Sequence, residues 1–154
     1  MEDKEKNIIE TLLKNYNVLR SQVQINLIVN NEEYNLYSFL NDKSIVKKCE
    51  NDSLWDFKKF KKAGNILKVS KTTKKKIQIV MIIKSCLDRL SYEETQLIYL
   101  RYFEKKSFRS ISRESDCSVN TVIKRIYEVA FPNLIKNGIL DAWNIYIEIS
   151  NLDS

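Results

Sequence analysis

Apolar residues recur every three to four positions from residue 3 to about residue 20, at Ile8, Ile9, Leu12, Leu13, Tyr16 and Leu19. That is the period of a helix that buries one side. With Val23 added, Ile9, Leu12, Tyr16, Leu19 and Val23 make a rough heptad seam. Such a seam serves either a coiled-coil or helical-hairpin dimer, or plain intramolecular core. Val23, Ile25, Leu27 and Val29 also alternate as a strand would. No second convincing strand exists to pair with that one, so a helix is expected there. Residues 30–35 are polar and turn-like. Phe39, Leu40, Ile45 and Val46 suggest a short helix over residues 37–49. Ser53 can cap a turn carrying Leu54, Trp55, Phe57 and Phe60, read as a small hydrophobic cluster. The competing use of those aromatics, set beside lysines, is stacking on bases. Residues 63–73, with Gly64, read as a hinge between halves.

The second half patterns more strongly. Residues 73–87 predict an apolar helix whose face includes Ile77, Val80, Met81, Ile83, Lys84 and Leu87. Ser91 and Glu94 have the spacing of a capping box, with the serine on the Glu94 amide and the glutamate reaching back. The helix they open runs through Leu97, Ile98, Leu100, Arg101 and Phe103, with Lys105 and Lys106 at its negative end. Two short helices follow within residues 107–131, capped by Ser107 and Ser118. Phe108 and Ile111 give the first an apolar edge. Val122 and Ile126, extended by Val129, give the second a stripe. Cys117 is placed to plug the angle between them. Pro132 predicts that the second helix bends or stops near Phe131. Gly138 reads as a C-cap. Beyond it, Leu140, Trp143 and Ile147 fit a final helix, while Ile145, Ile147 and Ile149 alternate like a strand.

Composition narrows the class. The 154 residues include only two glycines and one proline, too few turn formers for an all-β fold, and 44% are hydrophobic. The expectation is a mainly α protein: a helical region over residues 1–62 that can serve as an oligomerisation arm, a helical bundle over 73–137, and a tail over 138–154. No apolar run approaches the ~18 residues that span a bilayer, and no leader-like segment opens the chain, so a cytoplasmic protein is expected. Cys49, Cys86 and Cys117 are odd in number and far apart, as in a reduced compartment. There is no histidine, no paired-cysteine motif and no glycine-rich phosphate loop. The commonest general base and metal ligand are thereby removed, so no enzyme activity, cofactor or metal is expected.

Charge points to a polyanion. The formal net charge is +6. Between Phe57 and Leu87 lie ten lysines and no acid: Lys58, Lys59, Lys61, Lys62, Lys68, Lys71, Lys74, Lys75, Lys76 and Lys84. Lys105, Lys106, Arg109 and Arg113 add to them. Dense cationic surface drives duplex binding through counterion release. Just past the second serine cap, Ser118, Val119, Asn120, Thr121, Lys124 and Arg125 supply the polar and basic groups that read base edges. The expected footprint is those six, with Lys105, Lys106, Arg109, Lys74, Lys75 and Lys76 on phosphate.

Leu87-Asp88-Arg89-Leu90-Ser91, then Glu94, Ile98, Arg101-Tyr102-Phe103, Ser107-Phe108, Ile111, Ser118, Thr121-Val122 and Arg125, resemble the fourth conserved region of bacterial sigma factors. That region is a helix-turn-helix module that recognises promoter DNA. Ser112 departs from it, standing where a small apolar residue is usual, and is expected to bond back to the preceding turn. The whole layout looks like the ArpU- and RinA-type phage transcriptional regulators. The resemblance implies a double-stranded DNA-binding regulator that controls late phage genes. Activation is the expected direction, with RNA polymerase and a second copy of the chain as candidate partners. Two further readings stand beside it. One is a compact sigma-like factor or polymerase adaptor acting through protein contacts. The other is a packaging factor resembling a small terminase subunit.

Overall fold

The computed structural model describes residues 2–29 and 71–152. The turn expected at 30–35, the short helix at 37–49, the aromatic group at 54–60, the lysines from 58 to 68 and the hinge at Gly64 lie outside the described residues. Six helices make up the rest, with no strand among the described residues. Helix α1 is Asp3–Val29 and α2 is Lys71–Asp88. Helix α3, Tyr92–Ile98, runs on as a π-helical segment, Tyr99–Phe103. Helix α4 is Phe108–Ser115. Helix α5 begins as Val119–Lys124, widens into a π segment at Arg125–Ala130 and resumes as Phe131–Lys136. Helix α6 is Leu140–Leu152.

The amphipathic stripe of α1 explains why this helix sits inside the molecule. Ile9, Leu12, Leu13, Tyr16, Leu19 and Val23 are all buried, against α2, the end of α3 and α6. Burying a leucine or isoleucine side chain stabilises by roughly 1.5–3 kcal/mol. The seam that also suited a dimer is therefore taken up by the chain's own core. Residues 23–29 are helical, as the lack of a partner strand suggested.

Helix α2 lies chiefly on α6 and α1. Its buried face is broader than the repeat indicated, since Ile79 joins Ile77, Val80, Met81, Ile83 and Leu87, and Cys86 is buried alongside them. Lys84 does not belong to that face. Its ammonium pairs with Asp88 one turn on, at 2.7 Å. The tail is helical rather than extended. Ile139, Ala142 and Ile149 are buried and Trp143 is packed against the core, whereas Ile147 faces outward.

Local capping follows residue chemistry closely. Ser91 Oγ accepts from the Glu94 amide at 3.2 Å. The other half of the expected box is replaced: the Glu94 carboxylate accepts from Asn133 Nδ2 at 3.2 Å and so ties the start of α3 to the last turns of α5. A charged acceptor gains more from a partner on a neighbouring element than from an amide already close to water. At the end of α5, Gly138 has φ +97. Its amide donates to the Ile135 carbonyl at 3.0 Å, and the Ile139 amide to Leu134 at 3.1 Å, which is the double bond of a Schellman cap.

Helix α5 does not stop at Phe131. Pro132 is the second residue of the resumed α-helical turn, and the π segment immediately before it holds the irregular hydrogen bonding that a proline requires. One residue is thereby added to a turn, which rotates everything after it by about 100° relative to a plain α-helix. Val129, expected in the buried stripe, is 44% exposed as a result, and Ala130 is fully buried in its place. The stripe runs Val122, Ile126, Ala130, Phe131 and Leu134.

Candidate nucleic-acid interface

Helices α4 and α5 form an angle built from two identical cap geometries. Ser107 and Ser118 both have φ −68 and ψ 156, and each Oγ accepts from the amide three residues on, at 3.1 Å. Between the helices Asp116 takes the left-handed conformation, φ 54, which aspartate tolerates better than most residues. Ile111 of α4 and Val122 of α5 are both buried in the core. Cys117 is half-buried there, packed against the core as its spacing suggested. Ser112 behaves differently from expectation. Its hydroxyl donates forward to the Cys117 carbonyl, not back along α4, and the Cys117 amide returns a bond to the Ser112 carbonyl at 3.2 Å. The hydroxyl thus fastens the turn, where a carbonyl would otherwise lack a helical partner.

With Val122 and Ile126 turned inward, the opposite side of α5 is open. Asn120, Lys124 and Arg125 are exposed, as is Ser118, and Val119 and Thr121 are half-exposed. Arg125 rests on the turn, its Nη1 donating to Cys117 Sγ at 3.5 Å. Lys105 and Arg109 are exposed on the loop before α4 and on its first turn, and Arg113 is exposed further along the same helix. Among the described residues no ion pair involves Lys105, Arg109, Arg113 or Lys124.

The other basic residues of the expected footprint are placed otherwise. Lys106 is ion-paired with Glu114 on α4 and with Glu104 at 3.3 Å. The hydrogen bond to Glu114, above all, raises its ammonium above the ordinary lysine value. Lys75 pairs with Glu148 of α6 at 2.7 Å. Lys76 is half-buried on the same helix, and the side chain of Lys74 lies outside the described residues. The first turns of α2 therefore lie beside the end of α6, whereas its last turns meet the far end of α5. There Cys86 Sγ donates to the Asn137 carbonyl at 3.3 Å, and Asn137 Nδ2 donates to the Cys86 carbonyl at 3.2 Å. Between Asn120 and Asn137 lies nearly all of α5.

A polar junction locks the helix pair to α1, and no sequence signal announced it. Tyr102 donates to Glu10 Oε1 at 3.4 Å, and Lys6 sits 3.9 Å over the Tyr127 ring. Burial, before any charge, pushes the hydroxyls of Tyr102 and Tyr127 above the ordinary tyrosine value, so both stay protonated donors. Arg101 also does more than its place in a helical stripe indicated. It stacks on Phe108 and bonds to the loop before α4. Its partners lie five and seven residues away, which no short-range pattern flags.

Compared with known proteins, the chain matches no family model, no curated protein and no solved structure. Among the described residues no helix is long and apolar enough to cross a membrane.

Proposed function

We propose that the protein is a sequence-specific, double-stranded DNA-binding transcription regulator whose reading element is α5. The observation that carries this is the outward position of Asn120, Lys124 and Arg125 just past the Ser118 cap, while Val122 and Ile126 of the same turns are buried. The amide end of α5, with Ser118 and Thr121, suits docking on the sugar-phosphate backbone. Arginine or lysine matches guanine and asparagine matches adenine in the major groove, and Val119 or Thr121 suits a thymine methyl. Lys105, Arg109 and Arg113 supply phosphate attraction, while Lys106 serves the loop through its glutamate partners. The likeness of residues 87–125 to sigma region 4 supports a helix-turn-helix reading of α4 and α5. The layout of the whole chain supports a role of the ArpU/RinA kind at phage late genes. Pairing of two copies over two half-sites would use surfaces other than the α1 stripe, which is spent inside the chain.

Selection of bound sequences from random duplex DNA tests the reading directly. A defined motif is expected, and Arg125→Ala should weaken binding to it by roughly 1–3 kcal/mol and relax preference at one base pair. Recovery of unselected sequence, or equal loss on selected and random duplexes, would overturn the base-reading role.

A further inference from the structure

Resting on the reading above, we infer that Arg101 is a positioning residue for DNA binding, which holds the loop between α3 and α4 in the shape that presents Lys105 and Arg109 to phosphate. Arg101 belongs to the π segment that ends α3. Its guanidinium lies 3.8 Å from the centroid of the Phe108 ring, the first residue of α4. Its Nη1 donates to the Lys106 carbonyl at 3.1 Å. The same loop is held from two more sides. The Lys106 amide donates to Leu100 at 3.0 Å, and the Lys106 ammonium pairs with Glu104 and Glu114.

What these bonds enforce is visible at Lys105, whose φ is +56. A left-handed lysine is disfavoured relative to an ordinary conformation, because its Cβ crowds the following carbonyl. Such a residue persists only where its surroundings over-determine it. Arg101 is the element of that restraint which joins α3 to both the loop and α4. It needs a flat cation to stack on Phe108 and a directed N–H to reach the Lys106 carbonyl. Lysine offers the charge without the plane or the fork. Lys105 and Arg109, by contrast, are exposed, so the loop's shape acts on cations that face outward. Arg101 itself lies behind the loop and acts through it.

The test measures binding of the full chain to duplex DNA across a range of salt concentrations, with thermal unfolding as a control. Wild type is compared with Arg101→Lys, and with Phe108→Leu, which removes the stacking ring while keeping an apolar side chain. For each variant that remains folded, the slope of log K against log salt is expected to fall by about 0.9 to 1.8, one or two phosphate contacts, with base preference at the selected site unchanged. An unchanged slope in either folded variant overturns this inference and leaves the DNA-binding reading standing. So does a change of base preference at constant slope. Absence of duplex binding by the wild type overturns both.

Discussion

Cys86 illustrates how a single side chain can be settled by its surroundings. It lies on the buried side of α2. What the spacing did not reveal is its hydrogen-bonded pairing with Asn137, 51 residues away. Burial first, then the Asp141 carboxylate, pushes the thiol from 9.0 up to about 12. A proton held more tightly in the folded chain contributes stability that is complete below the unfolded value. That contribution drains away as pH rises from about 9 toward 12, by up to about 1.4 kcal/mol per unit. Urea denaturation at pH 7 and at pH 10 should therefore show alkaline destabilisation, and Cys86→Ala should reduce it. An alkaline slope identical in the two proteins would remove this thiol as its source.

The register of α5 belongs to the helix as a unit. Its start was readable because a serine hydroxyl finds its amide within three residues. Its end was readable because only glycine adopts φ +97 without strain. Its middle was not, because the extra residue of the π segment goes with what α5 must bury against α3, and with Pro132. The segment makes a sharp contrast between neighbours. Val129→Lys should change stability by no more than about 0.5 kcal/mol, as exposed substitutions do. Ala130→Lys should cost several kcal/mol or prevent folding, since a buried ammonium would have to shed its hydration. Thermal melts of the two variants check this. Equal losses would mean that the plain α-helical stripe through Val129 is the true one.

Across the entire chain, α1 decides the architecture. Read by its repeat alone, it suited a separable arm as well as it suited a core. Packed, it covers α2, α6 and the end of α3, and its Glu10 reaches Tyr102 beside the helix pair. A fragment beginning at residue 71 would expose to water the apolar faces of α2, α6 and the end of α3 that α1 covers. It should lack a cooperative melt and bind duplex DNA poorly. The intact chain carrying Leu12→Ala should remain folded but lose roughly 2–5 kcal/mol. A fragment that melts cooperatively on its own would show that α1 is an accessory arm.

The starts of α3, α4 and α5, their three serine caps and the glycine stop were set by neighbours within one turn, so the residues alone sufficed to place them. The outward set Asn120, Lys124 and Arg125 followed from the same periodicity. The partners of Lys75, Lys106, Glu94 and Arg101, the fate of the α1 seam and the shifted stripe of α5 were decided only by packing. Each depends on groups brought together from distant parts of the chain. Hydrophobic periodicity says which side of a helix is buried, but the partner that covers it is chosen by the fit of the described helices together.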